Sequence, residues 1–275
     1  MVTYSKVNGN LIPSEKAVLP LADLATLRGY GIFDYFLFKN QQPLFIADYL
    51  ERFFNSAKLM HLEMPVTKKE LADDIQDLIL KNKLPNGSIR LLLTGGCSPD
   101  GYTPTQPNLA IIQYPEVTSN PDWYDKGIKL LLCAFKREIP EVKTINYLNG
   151  IRWIPDLKKK GAVEPLYHYE GKLLETVRSN VFIVNKEGTL MTPNQDILMG
   201  ITRKKVIEAA NELGIKVQKG TVLLEDLKEA TEVIITGSNK KVMPVVQIDD
   251  QTFNQGIPGP TYHALADAFE KKSRN

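Results

Sequence analysis

Apolar runs of strand length recur along the whole chain, and hairpin-type turns join them as often as helices do. That pattern excludes a doubly wound sheet made of strict βαβ repeats and points to an α+β protein with mixed, largely antiparallel sheets. No internal repeat is visible.

The first clearly periodic helix is expected over 47–60, with Leu50, Phe53, Phe54 and Ala57 on its buried stripe and Glu51 and Arg52 off its centre. A second opens at Thr67, where Thr67 and Glu70 have capping-box spacing ahead of Leu71, Ile75, Leu78 and Ile79, and it stops at Pro85-Asn86-Gly87. Strands over 89–94 and 109–114 complete an N-terminal domain of residues 1–115. The polar, helix-breaking stretch that follows reads as an interdomain linker at 116–126. A C-terminal domain over 127–275 then carries strands at 128–135, 165–169, 181–184, 233–236 and 242–248 and a helix at 147–160. A helix over 202–213 is expected to bury Val206, Ala209, Ala210 and Leu213 and to stop at Gly214.

Composition removes several functional classes. With 34 basic and 32 acidic residues, the 275-residue chain creates no field that would recruit nucleic acid or a membrane surface. Cys97 and Cys133 lie far apart without metal or CxxC spacing, which favours a reduced, cytoplasmic setting. No apolar run approaches the roughly twenty residues that span a bilayer. His61, His168 and His263 are scattered, so no metal site is expected, and no nucleophile elbow, Walker loop or dinucleotide fingerprint is present.

What remains is a set of anion and proton chemistry. Gly200-Ile201-Thr202-Arg203 opens a helix, whose unpaired backbone N–H groups and dipole favour a phosphate, and Thr202 can cap that helix as well as donate its hydroxyl. Thr236-Gly237-Ser238 is a second donor turn at a strand end. Arg52 could close a phosphate cage with a planar fork. Glu175 follows a hairpin at Tyr169-Glu170-Gly171-Lys172, and a carboxylate there could keep a pyridine nitrogen protonated. Lys143 supplies an amine able to form a Schiff base and then to move a proton. Singly, these are also an ordinary N-cap, a strand-end turn, a surface arginine, a surface glutamate and a solvated lysine. In this order they read as a pocket for pyridoxal phosphate.

The ordered set Lys143 to Leu148, Glu175 with Asn180-Val181-Phe182, Leu198 to Arg203, and Thr236-Gly237-Ser238 with Pro244-Val245 resembles the class IV aminotransferases. Arg28 to Asp34 and Leu50 to Ala57 match further signatures of that family, so the resemblance spans nearly the whole chain. It implies fold type IV: a small N-terminal α/β sandwich and a larger, mixed β-barrel-like C-terminal domain. It also implies pyridoxal 5'-phosphate as cofactor, a homodimer, and amino acids and 2-oxo acids as substrates. By the same resemblance Lys143 is the Schiff-base lysine and Glu175 the partner of the pyridine nitrogen. Arg52, Ile201, Thr202 and Ser238 hold the phosphate, Tyr147 bonds the ring hydroxyl and Leu198 packs on the ring.

For the substrate, Phe33, Arg90 and Asn239 are the positions implied to meet it. Ile89-Arg90-Leu91 is similar to the arginine-bearing strand of branched-chain enzymes, and Gly95 stands where D-amino acid enzymes carry arginine. Both favour an L-amino acid, branched-chain among the candidates. Asp34 stands where glutamate is commoner, and Arg178 replaces a small residue after Glu175, where it charges the site. Asn239-Lys240-Lys241 adds basic residues, so a substrate with a second carboxylate is open. Asp100-Gly101-Tyr102 is similar to a loop of aminodeoxychorismate lyases, which leaves pyruvate release to give 4-aminobenzoate as an alternative to transamination; the altered Arg178 and Asn239-Lys240-Lys241 leave a second, a protein that holds cofactor without turnover.

Overall fold

Two-residue turns in the left-handed region set the register of several strand pairs. Asn8-Gly9 and Asn40-Gln41 have positive φ throughout, a twist that matches antiparallel strands, and they join residues that pair directly across the ladder. The computed structural model describes residues 2–273 and divides into two units. One runs to Val117 and includes Val142–Asn146; the other comprises Thr118–Glu141 and Tyr147 onward.

The first unit contains β1 (Tyr4–Val7), β2 (Asn10–Pro13), α1 (Leu24–Arg28), β3 (Gly31–Lys39), β4 (Gln42–Pro43), α2 (Ile46–Leu59), α3 (Lys68–Asn82), β5 (Gly87–Thr94) and β6 (Leu109–Pro115). Its strands form one antiparallel sheet in the order β2-β1-β6-β5-β3-β4. Alternation along β3 buries Ile32, Phe36 and Phe38 together with Ile89, Leu91 and Leu93 of β5 on the face that α2 and α3 cover. The expected capping box is present: Thr67 Oγ1 accepts from the Glu70 N–H while Glu70 accepts from the Thr67 N–H, and Leu71, Ile75, Leu78 and Ile79 are fully buried. Phe54 of the predicted α2 stripe is only half-buried, whereas Tyr49 is buried.

The second unit contains α4 (Asp122–Asp125), β7 (Ile128–Ala134), α5 (Leu148–Arg152), α6 (Ile154–Lys160), β8 (Glu164–Tyr169), β9 (Lys172–Thr176), β10 (Asn180–Val184), β11 (Leu190–Pro193), α7 (Ile201–Glu212), β12 (Val217–Gly220), α8 (Leu224–Lys228), β13 (Glu232–Gly237), β14 (Lys241–Ile248), β15 (Gln251–Thr252) and α9 (Pro260–Lys272). Six of these strands close on themselves in the order β10-β13-β14-β7-β8-β9, because β9 returns to pair with β10. The barrel is mixed: β14–β7 and β7–β8 are parallel and its other pairs antiparallel. β11 and β12 extend the sheet beyond β10, and β15 pairs with β14. Val181, Ile183, Val233, Ile235, Met243 and Val245 share one face of the β10-β13-β14 ladder and a common core with Leu130 and Leu166. The α+β class and the β-barrel-like C-terminal part therefore hold.

Two sequence expectations need correcting. The single helix expected at 147–160 is two, broken at Trp153, since Pro155 in the first turn of α6 lacks an N–H and its ring obstructs the preceding turn. Leu213 is 48% exposed, because it caps α7 and falls off the stripe made by Val206, Ala209 and Ala210.

Gly87 tests how tightly the first sheet is built. A Cβ there would collide with the carbonyl oxygen of Tyr114 and lie 2.7 Å from the Phe38 ring. Gly87→Ala is expected to lower the free energy of unfolding by roughly 1–3 kcal/mol in urea titrations, the usual cost of overpacking.

Candidate active site

Barrel closure places the key carboxylate. Thr176 to Ser179 form the tight connection between β9 and β10, with the Thr176 N–H donating to the Ser179 carbonyl at 2.8 Å, and this makes Glu175 the partner of Asn180 across the ladder. Glu175 is buried and held at both oxygens: Oε1 accepts from Arg137 Nε at 2.8 Å, and Oε2 accepts from the Leu198 N–H at 3.0 Å. The Arg137 guanidinium also donates to the Pro140 carbonyl, so both ends of the arginine are fixed. Arg137 escaped the sequence reading, since an arginine just beyond a strand carries no spacing signal of its own.

Asn180 links this carboxylate to the anion turn. Its side-chain amide donates to the Leu198 carbonyl at 2.8 Å, and a Cβ on Gly200 would collide with its Oδ1. Gly200, extended and without a side-chain cap, is the N-cap of α7. Thr202 is thus not the cap expected from sequence, because the helix already begins at Ile201, which places Thr202 inside the first turn. The first N–H groups of a helix have no intrahelical acceptor, so this uncapped end retains donors for an anion.

The second donor turn follows β13. Gly237 lies against the loop after β9: a Cβ there would come within 3.0 Å of the Arg178 carbonyl. Thr236 Oγ1 is buried and has no hydrogen-bond partner among the described residues. An orphaned buried hydroxyl beside a glycine-relaxed turn, together with an uncapped helix terminus and a buried, arginine-paired carboxylate, fits a phosphorylated pyridine cofactor. Burial pushes the Tyr147 phenol up to about 12, so it stays protonated as a hydrogen-bond donor at neutral pH.

In the first unit, Lys143 lies beside β3. The Phe33 N–H donates to the Lys143 carbonyl at 3.0 Å, and Lys143 Nζ sits 4.7 Å from the Phe33 ring centroid. Arg90 packs on the same ring at 5.4 Å and on Tyr114 at 5.6 Å, so Lys143, Phe33 and Arg90 come together. Arg52 belongs to the other face of β3. Its Nε and Nη2 donate to the two oxygens of buried Asp34 at 3.0 and 2.6 Å, which orients the guanidinium from α2.

The two basic side chains of the 239–241 turn are engaged within the second unit. Lys240 is buried and bonded to Glu164 Oε1, and Lys241 pairs with Glu270 at 3.0 Å. Apolar surroundings demand a counter-charge for a buried ammonium, and Glu164 supplies it. Arg178 Nε also donates to Glu164 Oε1, at 2.7 Å. Asp100 of the lyase-like loop is likewise engaged, accepting from the N–H groups of Thr103 and Tyr102 and from the Ser98 and Thr103 hydroxyls. These bonds, led by that from the Thr103 backbone, hold its carboxyl well below the usual range. Among the described residues there is no cluster of His, Cys, Asp or Glu suited to a metal, and no helix long and apolar enough to cross a membrane.

Burial alone would raise the Glu164 carboxyl, and it is the largest single influence. Lys240, Arg178 and the Thr176 hydroxyl together outweigh it and hold Glu164 at about 2 against an ordinary 4.5. A depressed folded-state value means that the stabilisation is complete above pH 4.5 and is lost as pH falls toward 2. Glu164→Gln is expected to be less stable at pH 7, and its stability should fall less between pH 5 and pH 2 than that of the wild type. The difference, on the order of 3 kcal/mol, is measurable by denaturant titration at each pH.

The sequence profile described as amino-transferase class IV matches residues 31–248. A putative branched-chain-amino-acid aminotransferase of Methanocaldococcus jannaschii is 30% identical over 96% of this chain and 94% of its own length. A D-alanine aminotransferase of Staphylococcus haemolyticus is 28% identical over 96% of both chains. Among solved structures, a T.th. branched-chain amino acid aminotransferase with pyridoxamine 5'-phosphate superimposes with a TM-score of 0.91 at 25% identity, covering 100% of this chain and 95% of that one.

Proposed function

The chain belongs to the class IV aminotransferases, and on that premise we propose that it exchanges an amino group between an amino acid and a 2-oxo acid, with Lys143 and Glu175 as its central residues. The observation that carries the assignment is the Glu175 carboxylate, buried and held in place by the Arg137 guanidinium and the Leu198 N–H. Bound pyridoxal phosphate supplies an aldehyde that exchanges amines and a protonated ring that takes up the electron pair released when the substrate Cα–H bond breaks. Glu175 keeps the ring nitrogen protonated by presenting a fixed negative charge to it. Tyr147, protonated, would donate a hydrogen bond to the ring hydroxyl. The first-turn N–H groups of Ile201 and Thr202, the Thr202 and Ser238 hydroxyls and the Arg52 guanidinium, which Asp34 orients, would bind the phosphate. Leu198 covers the ring.

Lys143 does two jobs in this reading. Its amine would bond the cofactor, and once displaced it would take the proton from the substrate Cα as general base and deliver it to the cofactor carbon as general acid. Arg90, held between Phe33 and Tyr114, binds the substrate carboxylate on the side that suits an L-amino acid, with Phe33 and Asn239 against the remainder. The enzyme is a cytoplasmic homodimer. Leu148 and Ile151 on α5, 67% and 61% exposed, support self-association, since an apolar edge of that kind is normally covered.

Lys143→Ala is expected to lose at least about 10²-fold in transamination rate, measured as amino-donor consumption with saturating pyridoxal phosphate. Retention of most of the rate would remove Lys143 from the mechanism. For the oligomer, Leu148→Glu with Ile151→Glu is expected to shift the light-scattering mass from dimer to monomer, and a monomeric wild type would contradict the dimer.

A further inference from the structure

The polar cluster of Glu164, Arg178 and Lys240 in the second unit contains more positive than negative charge. One carboxylate faces two cations, and both its oxygens are engaged: Oε1 by Lys240 Nζ and Arg178 Nε, Oε2 by Thr176 Oγ1 at 2.5 Å. Glu164 and Lys240 are both buried and neutralise each other. Arg178 is left as the surplus cation. Its side chain is 61% exposed, and neither of its terminal nitrogens has a partner among the described residues.

An ordinary surface arginine samples many rotamers, and ordering it costs entropy. Arg178 is held already. Its Nε is tied to a buried carboxylate, its carbonyl lies against Gly237, and the preceding Val177 packs so closely on α5 that a Cβ on Gly150 would come within 2.5 Å of it. The guanidinium is therefore a preorganised fork, the geometry that suits a carboxylate bound through two parallel N–H···O bonds. Its position is also specific. It lies in the four-residue connection between Glu175 and Asn180 and beside the turn that carries Ser238, and its charge acts on Tyr147. An apolar substrate side chain gains nothing from a fixed cation there, whereas a second carboxylate does.

We propose that Arg178, held by Glu164 and Lys240, determines specificity by binding the side-chain carboxylate of a dicarboxylic amino acid or its 2-oxo diacid. The inference rests on the transaminase site proposed above and extends it from reaction to substrate class. Lys240 is a positioning residue: it neutralises Glu164, so that Glu164 anchors Arg178 without cancelling its charge.

The test uses the full-length protein saturated with pyridoxal phosphate, as wild type, Arg178→Met and Arg178→Lys. Half-reactions are followed with each enantiomer of glutamate and of leucine, alongside the Kd of pyridoxal phosphate from fluorescence titration. The glutamate-to-leucine ratio of kcat/KM is expected to fall by about tenfold or more in Arg178→Met, through KM, with Arg178→Lys intermediate because a point charge replaces the fork. An unchanged ratio would overturn the proposal. So would a parallel loss for both donors accompanied by weaker cofactor binding, which would make Arg178 a ligand of the phosphate. A wild type that consumes leucine but not glutamate overturns this inference alone, whereas one that binds cofactor but consumes no donor overturns the transaminase reading itself.

Discussion

The pairing of Glu175 with Asn180 is the constraint on which the second unit depends. It is the contact that closes six strands into a barrel, and the two residues it joins face the site from adjacent strands. Asn180 then fixes the Leu198 carbonyl and leaves no room for a side chain at Gly200, so the start of α7 is set by the same contact that sets the carboxylate. A barrel that closed one residue out of register would turn Glu175 to the other face of the sheet. Fold and chemistry are coupled there by backbone geometry.

Electrostatics divides the buried charges into two groups with different consequences. Glu175 with Arg137 is a balanced pair whose carboxylate keeps a defined orientation. Glu164 with Lys240 and Arg178 is an unbalanced triad, and its excess is positive. Buried ion pairs contribute little net stability against an apolar replacement, yet losing one partner is costly. Such pairs are therefore best understood as devices that hold a charge in place. In the first unit Asp34 does this for Arg52.

Much of the architecture was legible in local signals. The Thr67–Glu70 box, the stripe from Leu71 to Ile79 and the hairpin before Glu175 are encoded by neighbours within a few residues, and they form as the spacing predicts. The helix over 147–160 misled because apolar periodicity runs across Pro155, whose effect on the preceding turn is local and decisive. Long-range partners were hidden. Arg137 and Glu175 are separated by 38 positions and Lys240 and Glu164 by 76, and nothing in a single sequence couples them. The basic residues near 240 consequently looked available to substrate, although Lys240 is committed to the buried Glu164.

Lys143 is proposed as the amine that holds the cofactor. Borohydride reduction of the pyridoxal-phosphate-saturated protein, followed by proteolysis and mass mapping, tests it directly. A single reduced phosphopyridoxyl adduct is expected on the peptide containing Lys143. An adduct on a different lysine, or none after saturation with cofactor, would contradict it.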